Sequence, residues 1–505
     1  MDAISLEEVI QAVNGKAISN GSGLMVNGVS VDSRNVHKGN VFFAIKGDHY
    51  DGRQFIEQAF DAGAIGAVVS KQGGIDISGK CLPLILVDDV KTALGDLARY
   101  YRRKLNAKII GITGSNGKTT TKEMLYHLLS HFAPVVKPQK SFNNFIGVPL
   151  TIFEIESKHK YGILEMGTNA PGEILRLSEI GLPDIAVILN ISKTHLEGLG
   201  SIEGVALEKG DIVKNLKEDG VFVYNADNPW CCEIADKFGG NKISFGFGPN
   251  AQIIGTDVKK KGNGSVFTID IDYNTPPCPP HWGVKGVKPA SGALPKTLPS
   301  LWGGRGGCRR QFEIQLHVPG HHNISNCLAS FAVCYALGLD ISGLHNAFLS
   351  FKLPDMRIDS QQIGNVTFIN DAYNANPESI FAALKYFEEI DVVGRKIFIC
   401  GDMLELGKES HALHKEVGEK VSALNLDLLW TVGKYASDIA SAAKDGGMDV
   451  EKVLSFRSLD GITEYDMGEF RENDVILIKG SRGMHMETII DKYREYFSPR
   501  VLTHN

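Results

Sequence analysis

Gly111-Ile112-Thr113-Gly114-Ser115-Asn116-Gly117-Lys118-Thr119-Thr120 follows the apolar run Lys108-Ile109-Ile110 and leads into a segment of helical pattern, roughly 118–131. A strand, a glycine-rich turn and a helix in this order make a phosphate cradle. Small residues let backbone N–H groups face phosphate oxygens, and the helix N-terminus adds positive potential. Lys118 can reach the β- and γ-phosphates, and Thr119 can offer its hydroxyl to Mg²⁺. Thr113, Gly114, Ser115, Asn116, Gly117, Lys118, Thr119 and Thr120 are therefore expected to hold a nucleotide. The common G-x₄-G-K-[ST] pattern would place its first glycine at Ile112; here glycines stand at 111 and 114 instead. A plain glycine-rich strand–helix turn is the alternative, and the Gly-Lys-Thr-Thr ending in this context argues against it.

Downstream, apolar strands alternate with helices. Gly162-Ile163-Leu164, Ile185–Leu189 and Val221-Phe222-Val223-Tyr224 are the strand candidates, and they predict a parallel, doubly wound sheet. Upstream, Val41–Ile45 and Ala64–Val69 read as strands separated by turns at Gly47, Gly52 and Gly63, and 92–105 reads as a helix. Beyond the centre, His321–Leu337 is helical in pattern and Phe351–Pro354 reads as a linker. A further alternating segment follows, with strands at Val366–Ile369, Ile397–Cys400, Leu428–Val432 and Val475–Ile478. The expected architecture is α/β in three domains, 1–105, 106–352 and 353–505. Asn274–Arg310 fits neither period. It holds seven of the 19 prolines and no acidic residue, and is expected to be an irregular insertion, with no function assigned.

The chain has 505 residues, 43% hydrophobic and 22% charged, which suits globular domains large enough to bury their own cores. A formal net charge of -6 argues against nucleic-acid binding through a general basic field. The acidic start, Met1–Glu8, is not a secretory signal. Cys327–Leu339, the nearest thing to a long apolar run, is too short to span a membrane. Eight scattered cysteines without a CxxC pair suit a reducing cytoplasm.

The string Thr-Gly-Ser-Asn-Gly-Lys-Thr-Thr resembles the Mur ligase family and its relative folylpolyglutamate synthase, and the resemblance runs along nearly the whole chain. Ser30–Arg34, Phe42–Gly47 and Asp51–Phe55 are similar to the uridine-nucleotide-binding first domain, which points to Ser33, Arg34 and Gly47 as substrate contacts. Relatives often carry His after Asp-Gly; this chain has Arg53. Ser141–Leu150, Glu165–Ile174 and His195–Ser201 are similar to the family member that adds D-alanyl-D-alanine. So are Asn370–Pro377, Gly401–Gly407 and Lys479–Met484. The Asp-Asn-Pro-Arg string of the diaminopimelate-adding relative is not found: Asp227-Asn228-Pro229 is followed by Trp230.

The resemblance implies an N-terminal UDP-substrate domain, a central P-loop ATPase domain with a parallel sheet, and a C-terminal Rossmann-like domain. It implies ATP and Mg²⁺ as cofactors, and UDP-muramoyl-tripeptide and D-alanyl-D-alanine as substrates, with no nucleic-acid or membrane partner and a monomeric chain. Joining a carboxylate to an amine in water needs activation, here through an acyl-phosphate. Both partners of that first step are anions, so catalysis is chiefly charge neutralisation and positioning.

Thr119 and Glu165 fit an oxygen-ligated Mg²⁺. Glu165 follows the strand Ile163-Leu164, at the end where α/β sheets place ligands. His195 matches the histidine that helps hold a second metal, and Lys209 the lysine that relatives carbamylate. Asn326 and, less directly, Asn323 match the adenine-side motif, with helix capping the alternative for Asn323. Arg357 is expected on ATP phosphate and Asp371 on the ribose; Met356 replaces the glycine usual before this arginine. Asn143 and Asn144, with Asn374, Asn376, Ser481 and Arg482 of the third domain, are expected to contact the substrates. A Mur-type ligase with a different incoming amine and a non-catalytic nucleotide-binding relative are the nearest alternatives. A P-loop kinase or GTPase would leave the uridine-binding segment unexplained.

Overall fold

A computed structural model describes residues 1–18, 23–47, 50–72, 83–139, 141–262, 264–272, 309–464 and 467–497. The chain is α/β in three domains. The described residues form sheets of five, nine and six strands, together with a two-stranded ribbon.

The strand ahead of the phosphate loop, Lys108–Thr113, lies inside the nine-stranded sheet, and its Ile109, Ile110 and Ile112 are fully buried. A near-continuous apolar run suits a strand covered on both faces. Its neighbours are Tyr161–Glu165 and Ile185–Ile188, both parallel to it. Val135–Val136 lies beyond the first, and Val221–Asn225, Asn241–Gly246 and Ile253–Lys261 lie beyond the second. The first strand of the domain thus sits between later ones, and the chain's crossovers diverge to either side of it. A crevice opens at the carboxyl ends of strands at such a switch point. Thr113, Glu165 and the residues after Ile188 all finish at that edge.

The sheet is parallel from Val135–Val136 through Ile253–Lys261, as the strand–helix alternation predicts, and it carries an antiparallel extension besides. Gly264–Asp272 pairs antiparallel with Ile253–Lys261, and Arg309–Leu316 pairs antiparallel with Gly264–Asp272. Lys259, Lys260 and Lys261 are exposed, so this half-solvated extension lacks the apolar run that marks the other strands. Of the expected insertion, Arg309 and Arg310 open the last strand and the rest lies outside the described residues. Asp272 and Arg309 are register partners.

The N-terminal sheet runs Lys16–Ala17, Leu84–Val87, Gly66–Ser70, Asn40–Phe43, Gly28–Ser30, parallel except for the first pair. The helix Val90–Arg102, capped by the Asp89 side chain, carries the chain into the central domain. Arg102, 1% exposed, ends it: Nε donates to Gly181 O at 3.0 Å and Nη2 to Asp184 Oδ2 at 2.7 Å.

The C-terminal sheet runs Asp359–Ile363, Val366–Asn370, Val475–Lys479, Lys396–Gly401, Leu428–Val432, Val453–Phe456, parallel after its first pair. Asn370, Lys479 and Gly401 end adjacent strands there and face the central domain's open edge through the loops that follow them.

Candidate active site

A cavity of about 890 Å³ lies between the central and C-terminal domains. Its floor is the phosphate loop. Gly114 has φ +156° and Gly117 φ +85°, and a Cβ on Gly117 would stand 2.3 Å from Asn326 Oδ1, so the turn requires glycine there. The helix Lys118–Leu129 begins with Gly117 as its cap and no side-chain cap bond, which leaves its first N–H groups to an anion. The loop is braced from behind. Thr113 Oγ1 donates to Met166 O at 2.9 Å. Ser115 N donates to Asn190 O at 2.9 Å, Ser192 N to Ser115 Oγ at 2.9 Å, and Asn116 N to Asn190 Oδ1 at 2.8 Å. Lys118 Nζ donates to Gly114 O at 2.6 Å, curled back over the loop. Burial pushes the Lys118 amine below the usual lysine range, against the opposing pull of Glu165. Thr120 is buried beneath the loop.

Glu165 ends its strand and is 1% exposed, so it is no helix-terminal carboxylate. Its Oε1 accepts from Asn143 Nδ2 at 3.1 Å and from Thr119 Oγ1 at 3.4 Å. Its Oε2 has no hydrogen-bond partner among the described residues; the buried Lys122 ammonium stands 3.9 Å away. A buried carboxylate oxygen left unpaired is costly unless something binds there. Glu165 and Thr119 supply hard oxygen donors, and no group of three His, Cys, Asp or Glu gathers among the described residues. That sparse oxygen set fits Mg²⁺, which keeps waters and takes its other ligands from phosphates.

His195 lies across the cleft mouth with left-handed backbone, φ +53°. Its Nδ1 is 2.5 Å from Glu405 Oε2 of the C-terminal domain. Burial holds the imidazole pKa below its ordinary value, with Glu405 opposing, and the bond to His195 holds the Glu405 carboxyl low. Lys209 is completely buried and does not line the cavity; its Nζ has no hydrogen-bond partner among the described residues. Burial first, then the charge of Lys118, pushes its pKa well below the lysine range. As an amine it offers no oxygen to a metal. Its neighbour Glu208 caps the helix Glu173–Gly181, accepting from Gly172 N at 2.6 Å and Ile174 N at 2.7 Å.

The C-terminal domain supplies the other wall. Arg357 Nη2 donates to Thr119 Oγ1 at 3.1 Å, and its guanidinium lies 4.2 Å from the Tyr373 ring centroid. Asn376 caps the helix Pro377–Glu389 and exchanges two carboxamide bonds with Asn116. Asp371 is paired with Lys479 at 2.5 Å, and its Oδ1 accepts from Ile358 N at 3.2 Å. Ser481 Oγ accepts from Leu404 N at 2.8 Å, and Arg482 pairs with Glu487 at 2.6 Å. Asn374 Oδ1 accepts from Ala375 N at 2.9 Å. On the opposite side, Asn326 Nδ2 donates to Asn323 Oδ1 at 3.3 Å, and Asn323 Nδ2 donates to Pro319 O at 2.6 Å. Gly320, not Asn323, caps that helix. The His321 and Phe247 rings meet at 3.9 Å beside this pair.

The structure therefore gathers Ser115–Thr120, Asn143, Asn144, Glu165, His195, Asn323, Asn326, Arg357, Asp371, Asn374, Asn376, Ser481 and Arg482 around one cavity. Asn144 is committed to its own turn, accepting from Ile146 N and Gly147 N at 3.1 and 3.0 Å. Ser33, Arg34 and Gly47 do not line the cavity. Ser33 Oγ donates to Gln58, Arg34 is paired with Asp32, and Gly47 N donates to Tyr50 O. Sequence reasoning missed Lys122, Asn190, Glu405 and Lys479. Two of these, Glu405 and Lys479, stand inside strings already singled out.

Comparison with known proteins follows the same division. Residues 25–102, 112–286 and 356–482 match models described as the Mur ligase family catalytic domain, the Mur ligase middle domain and the Mur ligase glutamate ligase domain. A UDP-N-acetylmuramoyl-tripeptide–D-alanyl-D-alanine ligase of Bacillus subtilis is 33% identical over 92% of this chain and 93% of its own. The Escherichia coli protein of the same name is 30% identical over 98% of this chain and 99% of its own. Among solved structures, a MurF from Acinetobacter baumannii superposes with a TM-score of 0.81 at 27% identity, covering 98% of this chain and 99% of that one. MurF ligase from Thermotoga maritima in complex with ADP gives 0.75 at 25%, covering 93% and 97%.

Proposed function

The chain belongs to the Mur ligase family, and from that premise we propose that it joins D-alanyl-D-alanine to UDP-N-acetylmuramoyl-tripeptide at the expense of ATP, making the pentapeptide precursor of peptidoglycan. The observation that carries this reading is the cavity itself, where a phosphate loop, a buried carboxylate with an unpaired oxygen, and Arg357 of another domain converge. The names of the full-length relatives favour this amine over another amino acid. With Lys118, Glu165 and His195 all lining the cavity, the non-catalytic alternative has little support.

The tripeptide carboxylate attacks the γ-phosphorus of ATP, giving an acyl-phosphate and ADP. The dipeptide amine then attacks the acyl carbon, and phosphate leaves. Lys118 leaves Gly114 O for the β/γ-phosphates, and the first N–H groups of its helix face the same oxygens. Arg357, held over the Tyr373 ring, neutralises charge as the phosphoryl group moves. Mg²⁺, held by Thr119 and Glu165, supplies charge neutralisation to the phosphates when bound. Asn143 Nδ2 holds Glu165 Oε1 beside the Thr119 hydroxyl, and Oε2 stays buried without a hydrogen-bond partner among the described residues. The buried Lys209 amine would add CO₂ and release one proton to give a carbamate, whose oxygens would supply the metal ligand that the amine lacks. Asn323 and Asn326 take the adenine edge and Asp371 the ribose.

Ser33, Arg34 and Gly47 hold the uridine diphosphate on domain 1–105. Domain 106–352 activates the carboxylate and domain 353–505 presents the amine through Asn374, Asn376, Ser481 and Arg482. The reaction consumes ATP, so the proposed compartment is the cytoplasm. No helix among the described residues is long and apolar enough to cross a membrane. We propose that the chain acts as a monomer.

The test is phosphate release by purified protein given ATP, Mg²⁺, the UDP-muramoyl-tripeptide and D-alanyl-D-alanine. Release should require both the tripeptide and the dipeptide, and mass spectrometry should find the pentapeptide. Release independent of either one refutes the reading. Lys118→Ala should abolish turnover while leaving the fold intact.

A further inference from the structure

Glu405 is the residue that the reaction above leaves unused and the structure holds most deliberately. It comes from the C-terminal domain, yet its carboxylate meets His195 of the central domain at 2.5 Å. The two backbones are joined as well: Glu197 N donates to Glu405 O at 3.0 Å. Both partners adopt the left-handed conformation that L side chains avoid, Glu405 at φ +64° and His195 at φ +53°. Gly407, at φ +56°, packs so closely on Glu197 that a Cβ would lie 3.1 Å from its Cα. Lys193 and Glu409 add an ion pair at 3.4 Å on the flank.

The arm that carries Glu405 is itself fixed from behind. Met403 N donates to the buried His414 Nε2 at 2.9 Å, and Leu404 N donates to Ser481 Oγ at 2.8 Å. Strain of this kind persists only where surroundings over-determine the geometry, and it collects at functional sites.

A carboxylate only accepts, so the proton of this bond sits on His195 Nδ1. The lone pair is then on Nε2, and the ring is locked about its χ2. That is the arrangement by which a carboxylate prepares a histidine to bind a metal ion through its other nitrogen. Here the orienting group and the oriented group belong to different domains.

We propose that Glu405 is a positioning residue, supplied by the amine-presenting domain, that orients His195 for the second metal ion and so links docking of that domain to assembly of the metal site. The proposal rests on the reading of His195 as a metal ligand. Linkage is reciprocal: if docking strengthens metal binding at His195, metal there strengthens docking by the same factor. The second ion then becomes tightly bound only when the domain bearing the amine is in place.

The test is Mn²⁺ binding, followed by electron paramagnetic resonance on the full chain with a non-hydrolysable ATP analogue, alongside steady-state kinetics. Wild type should bind two Mn²⁺. Glu405→Ala should weaken one of them about tenfold or more, as loss of a metal-orienting partner does. The other, at Thr119 and Glu165, should keep its affinity. The kcat should fall while KM for the dipeptide stays within about twofold. Glu405→Gln still accepts from Nδ1–H and should lose only about threefold; this variant decides the matter if the alanine variant fails to fold.

In a His195→Gln background, which should retain a single Mn²⁺, Glu405→Ala should cost nothing further, because residues acting as a unit are not additive. Two Mn²⁺ bound by Glu405→Ala as tightly as by wild type, or an equal further loss in the double variant, overturns the proposal. A wild type that ligates both substrates yet binds one Mn²⁺ overturns it while sparing the proposed reaction. A wild type that binds two but makes no pentapeptide sinks the reaction instead.

Discussion

Asn116 of the phosphate loop and Asn376 of the C-terminal domain exchange two carboxamide hydrogen bonds, Nδ2 to Oδ1 in each direction, at 3.2 and 2.7 Å. Each is also held by its own domain. Asn116 N donates to Asn190 Oδ1 at 2.8 Å, and Asn376 Oδ1 accepts from Ser379 N at 2.9 Å as a helix cap. The pair is therefore a rigid join between the loop that grips ATP and the helix beside the expected amine site.

Asn376→Asp separates the two roles. The aspartate keeps the cap, worth about 1 kcal/mol, but cannot donate to Asn116 Oδ1. We expect thermal stability within about 0.5 kcal/mol of wild type and a loss of roughly fivefold in kcat/KM, as one hydrogen bond of about 1 kcal/mol implies. Asn376→Ala should lose both. Differential scanning calorimetry and phosphate-release kinetics read the two effects separately.

Met356 takes a left-handed backbone, φ +56°, immediately before Arg357. Glycine adopts that conformation without a Cβ penalty, whereas other residues pay about 1–2 kcal/mol. Met356→Val should destabilise by about 1–2 kcal/mol, since a β-branched side chain at positive φ is worse still. Met356→Gly should be stabilising or neutral. Chemical denaturation measures both, and a valine variant as stable as wild type refutes the account.

His414 is completely buried, with Nδ1 2.6 Å from Ser410 O and Nε2 accepting from Met403 N. Both bonds need the neutral ring, and burial lowers its pKa from 6.5. Burial pushes His322 down to about 4. Unfolding exposes both imidazoles to protonation at their ordinary pKa, so the unfolded chain binds more protons below about pH 6.5. Stability contributed by these groups is whole above that pH and falls as pH drops through 6.5 towards 4. His414→Gln should remove part of the slope between pH 7.5 and 5 in a calorimetric series; an unchanged slope would rule His414 out as a contributor.

Asp272 and Arg309 face each other in register, and 36 residues separate them in sequence. A two-residue Asn-Gly turn is enough to join such antiparallel partners. Replacing 273–308 by Asn-Gly should leave the fold, the melting temperature and phosphate release within about twofold. Loss of activity with the fold intact would show that the segment has a role beyond connection.

How much was legible in the sequence follows from which interactions are local. The strand–loop–helix at 108–129 could be read because apolar runs, glycines and a Lys-Thr pair act through near neighbours. Helix and strand positions in all three domains follow the same logic. The strand Ile253–Lys261 was not legible, because its exposed second half erases the apolar run. Asn323 was open between cap and ligand; only the backbone shows that Gly320 takes the cap.

The sequence by itself determined the phosphate loop, the alternation that makes doubly wound sheets, and the strings that place the chain in its family. Those signals are short-range in chemistry and repeat along the chain. Tertiary structure alone decided that Glu165 Oε2 and Lys209 Nζ are buried without hydrogen-bond partners among the described residues. It also decided that Thr119 meets Arg357, Asn116 meets Asn376 and His195 meets Glu405. These pairs are 210 to 260 residues apart in sequence, and no local periodicity encodes a contact between the ends of two different sheets.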